Sequence, residues 1–299
     1  MKILLFDFNN ILADVKEELV RRGHKLIPNW EEADVIVVWQ ENEEGGWKEM
    51  VRKWQKAGKR VVLVQHGRLG TSRTFPPFNE KLLSDAICVW GQNDIDRLSE
   101  CGVPKEKMTI TGTTVLRHLI PRVPHKGINV VFSPEHWDHD VIENAIVMGA
   151  LNKVENINIT TKILKGEHNP SHYVNAVASR RGEEGHLETC AEVLSQADVV
   201  VALSESTFEL MAQILDIPVI IADIWVPKAC AGDDRYKEYH RIYSDAVTKV
   251  ADLSNLEHEI NSAVFAPDRL SEERKNIAVL DGGMHIKDPL DSIIKVILD

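Results

Sequence analysis

The sequence lacks the features that mark membrane-spanning and secreted proteins. No stretch approaches the roughly 18 to 20 consecutive apolar residues of a membrane span, and the apolar opening of MKILLFDFNN is too short for a signal peptide and contains Asp7. The four cysteines are widely spaced and none belongs to a CxxC pair, so we expect reduced thiols and neither a disulfide framework nor a zinc site. These absences predict a soluble, cytoplasmic protein.

A surplus of positive charge is also missing. The 299 residues include 35 lysines and arginines against 46 aspartates and glutamates, which gives a formal net charge of -11. Such a protein is not expected to coat nucleic acid or an anionic membrane by bulk attraction, because both partners are themselves negatively charged. A local basic groove is compatible with this balance, so nucleic acid is not excluded as a partner.

The sequence does contain a regular alternation of short aliphatic runs with amphipathic segments. Uninterrupted aliphatic runs are typical of strands in a parallel sheet that helices cover on both faces. The alternation therefore predicts an α/β fold in the first part of the chain. The predicted strands are 3–6, 35–39, 61–64, 86–90 and 109–111, and the predicted helices are 13–22, 47–57 and 93–101.

The same alternation restarts after a proline-rich stretch at 121–127, which is the best candidate for a domain boundary. We therefore predict two doubly wound, Rossmann-like domains, 1–123 and 124–285, with a cleft between them and a closing helix at 286–299. In the second half the predicted strands are 129–132, 160–164, 199–202 and 219–221, and the predicted helices are about 138–151, 186–196, 206–215, 252–264 and 289–298.

The first motif with chemical potential is VVLVQHGRLGTSRTF, at 61–75. In open parallel sheets ligands bind beyond the carboxyl ends of the strands, where His66 is predicted to lie. An imidazole titrates near neutral pH, so His66 could accept a proton from an acceptor hydroxyl. Gly67 allows a close backbone approach, and Arg68 and Arg73 could clamp an anionic group on the acceptor side. The alternative is a turn that contains a structural histidine.

A second polar segment, TTKILKGEHNPSHY at 160–173, follows another predicted strand. Lys165 and His168 could both reach the phosphate oxygens of a nucleoside diphosphate, since both side chains can donate hydrogen bonds to an anion. The alternative is an ordinary polar loop that ends at Pro170. The residues of this segment do not decide between the two interpretations.

The third motif is ADVVVALSESTFELMAQILDIPVIIAD, at 197–223, in which a buried strand leads into four polar residues that begin a helix. N–H groups and hydroxyls at the start of a helix bind anions, so Ser204, Ser206 and Thr207 could hold a phosphate. Glu209, one turn into the helix, could bind both hydroxyls of a ribose. The alternative is simple capping of the helix by Ser204 or Ser206 with an acidic first turn.

A fourth segment, EHWDHD at 135–140, has the composition of a metal site. Consecutive residues on one strand or helix cannot all face one ion, so we prefer a polar loop beyond a strand end. We expect no bound metal and no resident cofactor.

Taken together, the motifs resemble those of the GT-B glycosyltransferase superfamily. The likeness is nearest to CDP-glycerol glycerophosphotransferases and UDP-N-acetylglucosamine 2-epimerases, and it covers the chain from about residue 60 to the end. Its most specific part is the segment 197–220. Its other parts come in the order of the family: VQHG at 64–67, DAICVWG at 85–91, TITGTTVL at 109–116, VFSPEHWD at 131–138, KILKGEHNP at 162–170 and LDGGMHIKDPLDSIIKVI at 280–297.

The resemblance implies a GT-B fold and a role for several of these residues. Carried over residue by residue, it implies that His66 is the general base and that His168 contacts the donor phosphate. It also implies that Ser206 and Thr207 donate hydrogen bonds to phosphate and that Glu209 binds the ribose.

The activity implied by the resemblance is metal-independent transfer of a sugar or glycerophosphate group from a nucleotide-activated donor, such as a UDP-sugar or CDP-glycerol, to an acceptor hydroxyl. Three alternatives stay open: a sugar-nucleotide epimerase of the same fold, a phage-type DNA glycosyltransferase acting on a hydroxymethylated base, and a non-catalytic nucleotide-sugar binding protein. The sequence does not determine the nucleobase, the acceptor or the oligomeric state, for which a homodimer is one option.

Overall fold

The computed structural model describes two compact units. Among the described residues, the first unit contains 1–68, 82–114 and 279–299, and the second contains 115–278. The bounds predicted from the sequence, at 123–124 and 285–286, lie further along the chain and stay predictions, as does the cleft. The described residues are 1–7, 10–41, 46–68, 82–135, 141–166, 169–180, 182–224 and 243–299.

The first unit is built on a parallel sheet, as the aliphatic runs predict. Its described strands are β1 (Lys2–Phe6), β2 (Lys25–Leu26), β3 (Val35–Val38), β4 (Arg60–Val64), β5 (Ala86–Val89) and β6 (Met108–Ile110), in the spatial order β2-β1-β3-β4-β5-β6. All four residues of β3 are buried because helices cover both faces of the sheet. The helices in this part of the chain are α1 (Ala13–Arg21), α2 (Trp47–Lys56) and α3 (Gln92–Glu100).

The second unit repeats the same architecture. Its described strands are β7 (Ile128–Ser133), β8 (Ile157–Leu164), β9 (Ala176–Ser179), β10 (Val199–Ala202), β11 (Val219–Ala222) and β12 (Val247–Val250). They form a parallel sheet of order β12-β11-β10-β7-β8-β9, in which β10 and β11 are buried along their whole length. The helices here are α4 (Val141–Leu151), α5 (His186–Ser195), α6 (Thr207–Ile214), α7 (Leu256–Phe265) and α8 (Ser271–Leu280).

The chain ends in a helix that packs on the first unit, α9 (Pro289–Leu298). Its apolar face, formed by Leu290, Ile293, Ile294 and Ile297, is buried in one cluster with β1, β3 and β4. The guanidinium of Arg60, at the start of β4, donates to the carbonyls of Val296 and Ile297 at 2.7 and 3.0 Å, which satisfies acceptors that the helix end would otherwise leave open. Among the described residues, no helix combines the length and the apolar character needed to cross a bilayer.

Candidate functional site

His66 lies just beyond the carboxyl end of β4, as predicted, and its side chain is exposed. Its Nδ1 atom is 3.1 Å from the carbonyl oxygen of Trp39, and its ring meets the Trp39 ring edge-on with centroids 4.6 Å apart. Because a carbonyl oxygen only accepts hydrogen bonds, this contact requires the proton on Nδ1. Nε2 is then the basic nitrogen of His66, which is the arrangement that a general base needs.

Gln65, the residue before His66, is fixed from both of its ends. Its backbone N–H donates to the backbone carbonyl of Cys88 at 3.0 Å, and its side-chain carbonyl accepts from the backbone N–H of Trp90 at 2.9 Å. Its side-chain amide also donates to the Gly67 carbonyl at 2.9 Å, and its own carbonyl accepts from the Trp90 indole at 3.1 Å. The peptide that carries His66 is therefore held against the end of β5.

Aromatic rings surround the same strand ends. Trp39 packs edge-on against Trp47, with centroids 5.6 Å apart, and Trp47 packs in the same way against Phe6 at 5.1 Å. Phe6 also meets Trp54 at 5.2 Å. Such edge-to-face contacts favour one arrangement of the rings. The side chain of Trp39 is therefore held in place, and with it the backbone carbonyl that accepts the hydrogen bond from His66.

Arg68 has a different partner from the one predicted. We expected it to clamp an incoming anion, but its guanidinium donates to Asp281 Oδ2 from Nε at 2.9 Å and from Nη2 at 2.5 Å. The two side chains are 1% and 0% exposed, so the charge of Arg68 is already neutralised away from solvent. Gly67 is half-buried and its carbonyl is bound by Gln65. Arg73 lies outside the described residues.

In the second unit, Ser206 and Glu209 form a capping box at the start of α6. The Ser206 hydroxyl accepts from the Phe208 N–H at 3.2 Å, and Glu209 Oε2 accepts from the Ser206 N–H at 2.7 Å and from its hydroxyl at 2.5 Å. Capping, the simpler of the two interpretations of this motif, is thus present. Thr207 is the first residue of α6.

Only one carboxylate oxygen of Glu209, Oε2, takes part in the capping box, so the other oxygen, Oε1, is not used in capping the helix. The residue is 1% exposed, and burial raises the pKa of its carboxyl against the opposing effect of the Ser206 hydrogen bonds. Its Oε1 atom is buried with no hydrogen-bond partner among the described residues. A buried acceptor without a donor costs free energy, so a hydroxyl that donates to Oε1 would stabilise it. The Ser133 side chain is close enough to lower the pKa of Glu209.

Ser204 is bound by a residue that the sequence motif does not contain. Its hydroxyl donates a short hydrogen bond to Glu135 Oε1, beyond the end of β7. Glu135 is positioned in turn by Asn144, which accepts from its backbone N–H at 2.9 Å and donates to its carbonyl at 2.7 Å. The alternation of strands and helices could have placed Glu135 and Ser204 together, since β7 and β10 are adjacent and end at the same edge.

Lys165 lies just after β8 and its side chain is exposed. Its Nζ atom is 3.0 Å from Glu183 Oε1, and this hydrogen bond lowers the pKa of Glu183. An exposed pair of this kind exchanges partners readily, because water competes for both charges. Lys165 is therefore placed at a strand end with its charge near the surface, while His168 lies outside the described residues.

No group of three or more histidine, cysteine, aspartate or glutamate side chains within the described parts of the chain could hold a metal ion. Most of the EHWDHD segment, residues 136–140, lies outside those parts. The expectation that no metal takes part therefore stays a prediction.

The described residues form two doubly wound parallel sheets, each with polar side chains beyond its strand ends, which is an α/β architecture. The chain is similar in structure to the UDP-GlcNAc 2-epimerase of Neisseria meningitidis bound to UDP-GlcNAc, with a TM-score of 0.59 and 12% sequence identity over 100% of both chains. It is also similar to the wall teichoic acid polymerase TagF, with a TM-score of 0.63 and 10% identity over 100% of this chain and 87% of that one.

A third solved structure, Anabaena Alr3699/HepE in complex with UDP-glucose, matches with a TM-score of 0.58 and 11% identity over 99% of this chain and 98% of that one. No protein-family model matches the sequence, and no curated protein matches it at a significant level. At these identities the likeness concerns the fold, and it confirms the predicted GT-B fold.

Proposed function

We propose that the protein transfers a sugar or glycerophosphate group from a nucleotide-activated donor to an acceptor hydroxyl. The observation that carries this proposal is the geometry of His66, whose Nδ1 donates to the Trp39 carbonyl and whose Nε2 is therefore the proton acceptor. A base of this kind is needed when a hydroxyl becomes a nucleophile. The solved structures with a similar fold include complexes with UDP-GlcNAc and UDP-glucose, and TagF has been soaked with CDPG.

In the proposed reaction the acceptor hydroxyl loses its proton to Nε2 of His66. Its oxygen forms a bond to the electrophilic centre of the donor, either the anomeric carbon of a sugar or the phosphorus next to glycerol. The bond from that centre to the nucleotide breaks, and the nucleotide leaves with the electron pair and the negative charge. Backbone N–H groups at a helix start can stabilise such a charge, so the proposed reaction would proceed without a metal ion.

The donor would bind to the second unit, at the start of α6. Glu209 would bind the ribose through its carboxylate, with Oε1 as the oxygen that the described residues leave without a donor. Ser206 and Thr207 lie at the start of α6, where they would donate hydrogen bonds to the donor phosphate. Lys165 and His168 would contribute positive charge beside the phosphate. The Ser204 hydroxyl would donate its hydrogen bond to the phosphate instead of to Glu135.

Binding is the first test of this proposal. A thermal-shift series with UDP, GDP, CDP, CMP and ADP should raise the melting temperature with at least one pyrimidine nucleotide, because a ligand of the native state stabilises it. A matching loss of that shift in Glu209→Gln would support the ribose contact. A flat response to every nucleotide would contradict the proposal.

A sugar-nucleotide epimerase is the second candidate, and the full-length match to a UDP-GlcNAc 2-epimerase favours it. That chemistry needs acids that move protons at the sugar. Glu135 is present, but Glu205 is 5% exposed and already holds Ser244 and Gln213 through hydrogen bonds of 2.6 to 2.8 Å. NMR of UDP-GlcNAc incubated with the protein alone would show epimer formation if this candidate is correct.

Two further candidates rest on the sequence. A modified DNA base as the acceptor would involve the segment 68–81, of which all but Arg68 lies outside the described residues. A gel shift with hydroxymethylated duplex over a salt series tests it. A non-catalytic binding protein would bind nucleotide without turnover, whether or not His66 is present.

A further inference from the structure

The ion pair between Arg68 and Asp281 is the centre of a buried polar network at the carboxyl ends of β4 and β5. While Oδ2 of Asp281 binds Arg68, Oδ1 accepts from the side-chain amide of Asn93 at 2.6 Å and lies 3.6 Å from the Arg97 guanidinium. Burial would raise the pKa of Asp281, but the charges of Arg68 and Arg97 and these hydrogen bonds outweigh it and lower that pKa. Asp281 is thus a carboxylate with both oxygens engaged.

The backbone around Asp281 is pressed against the strand ends. We call residues 280–283, Leu-Asp-Gly-Gly, the LDGG segment. A Cβ atom on Gly91 would lie 1.9 Å from the Leu280 carbonyl oxygen, and one on Gly283 would lie 2.2 Å from the Trp90 carbonyl oxygen. Thr113 also donates its backbone N–H to the Gly282 carbonyl at 3.2 Å. The position of Asp281 is therefore set by backbone packing rather than by a flexible side chain.

Two fixed residues flank His66 as a result. Gln65 is tied to Trp90 on one side. On the other side, two residues along the chain, Arg68 is tied to Asp281. The chain from Gln65 to Arg68 is short, so fixing both ends limits where the imidazole of His66 can lie relative to the Trp39 carbonyl.

We propose that Asp281 is a positioning residue for His66: by holding Arg68 it keeps the imidazole on the Trp39 carbonyl and so fixes the tautomer that leaves Nε2 as the base. The consequence for turnover rests on the proposed function, whereas the tautomer itself does not. The LDGG segment, which is the start of the resemblance at 280–297, then supports the position of the candidate base.

The competing interpretation is that Asp281 only anchors the C-terminal segment. Both interpretations predict a loss of stability in Asp281→Asn, so stability does not separate them. The tautomer of His66 does separate them, because an anchor that acts only on the fold leaves the His66–Trp39 contact unchanged in the molecules that are folded.

The test is a two-bond ¹H–¹⁵N spectrum of the full chain labelled on histidine, which reports which ring nitrogen carries the proton. His66 is assigned by its loss in His66→Asn. The wild type should show the Nδ1–H tautomer, and Asp281→Asn should show a mixture with at least a third of His66 as Nε2–H. The control is Asp291→Asn, which removes another aspartate–arginine ion pair of the same unit. Asp291 Oδ1 lies 2.9 Å from Arg22 Nη2, and both side chains are more exposed than those of Arg68 and Asp281. This variant should leave the tautomer of His66 unchanged.

Folded Asp281→Asn with the wild-type tautomer would overturn the proposal. If Asp281→Asn does not fold, Arg68→Lys serves instead, because a lysine keeps the charge but cannot donate from two nitrogens of a planar group. A mixture of His66 tautomers in Arg68→Lys would then support the proposal, and the wild-type tautomer would overturn it.

Turnover supplies a second readout once a donor is known. Asp281→Asn should lower kcat at least tenfold with the KM for the donor unchanged, and Asp291→Asn should keep both. If the wild type proves inactive, the proposed function fails while the tautomer result still stands. If turnover falls but the tautomer is unchanged, the positioning proposal alone fails.

Discussion

Asp281 accepts two hydrogen bonds from the guanidinium of Arg68, at 2.9 and 2.5 Å, across 213 residues of sequence. The ion pair joins Arg68, two residues after His66, to Asp281 in the segment that precedes the last helix. Because both side chains are excluded from solvent, removing one partner would take from the other the ion pair that compensates the burial of its charge. The C-terminal part of the chain is therefore a structural partner of the candidate base.

Glycine is required at position 91, where a Cβ atom would collide with the Leu280 carbonyl. We expect Gly91→Ala to destabilise the protein by about 2 kcal/mol or more, since backbone atoms must move to make room. Gly149 lies within α4 and a Cβ there meets nothing within 4 Å. Gly149→Ala should therefore stabilise the protein by roughly 0.5 to 1 kcal/mol.

Urea denaturation of the two variants beside the wild type measures both effects. Opposite signs are expected. Equal effects would show that the close approach between Gly91 and Leu280 is not maintained in solution.

Asp94 predicts a pH dependence of stability. The residue is 1% exposed, and burial together with the charge of Asp281 raises the pKa of Asp94 to about 7, against the opposing effect of Arg97. Between its ordinary pKa of 3.8 and about 7, the folded protein holds a proton that the unfolded chain has lost. Stability therefore falls as the pH rises through this window.

Asp94→Asn removes this titration but keeps an oxygen for the Gly91 N–H, which Asp94 accepts at 3.2 Å. As the pH rises from 4 to 8, the wild type should therefore lose stability relative to the Asp94→Asn variant. The full pKa difference corresponds to at most about 4 kcal/mol. Urea denaturation of both proteins from pH 4 to 8 measures it, and a difference that stays constant with pH would contradict the assignment.

Arg274 should be among the most costly residues to replace in the second unit. Its side chain is 1% exposed and donates to Asp216 at 2.7 Å and to the carbonyls of Arg269 and Pro267 at 2.8 and 2.5 Å. Arg274→Met removes the donor to all three acceptors, although Asp216 keeps its hydrogen bond from the Ser271 hydroxyl at 2.9 Å, and we expect a loss on the order of 3 kcal/mol. Arg269→Met is the control, because its pair with Glu259 is exposed and should contribute under about 1 kcal/mol. Denaturation midpoints within error of each other would refute the difference.

The capping box of α6 separates stability from ligand binding. Ser206→Ala should cost about 1 kcal/mol of stability, as should Asp288→Ala at the start of α9, where Asp288 accepts from the Asp291 N–H at 2.9 Å. Under the proposed function, Ser206→Ala and Glu209→Gln should also weaken nucleotide binding about tenfold or more, since a hydrogen bond to a charged group is lost or changed. Asp288→Ala should bind as the wild type does. Calorimetric titration gives the affinities, and unchanged binding by Glu209→Gln would exclude it as the ribose partner.

The fold was largely predictable because its central strands are buried on both faces and appear as aliphatic runs. Three described strands that no aliphatic run predicted, β2, β9 and β12, all lie at sheet edges, where the residues are only partly buried. The helix α8 was missed because its buried side includes Ser271 and Arg274 rather than an apolar stripe.

The candidate site was predictable only where its chemistry follows a strand directly. His66, Ser206 and Glu209 each come within one turn of a strand or helix end, and the rule for ligand positions in parallel sheets applies to them. The partner of Arg68 was not predictable, because Asp281 comes from a distant part of the chain and no local pattern marks a long-range ion pair. Glu135 and Ser204 each follow a predicted strand, so their proximity was within reach of the strand pattern, although no motif marked the hydrogen bond between them.

The most direct measurement follows nucleotide-activated donors by ³¹P NMR in the presence of the wild type and of His66→Ala, with a mixed set of hydroxyl acceptors. We predict that the wild type releases UDP from a UDP-sugar or CMP from CDP-glycerol. His66→Ala should do so at least about a hundredfold more slowly while binding the nucleotide equally well. Undiminished release by His66→Ala, or conversion of the sugar nucleotide to its epimer without any nucleotide release, would contradict the account.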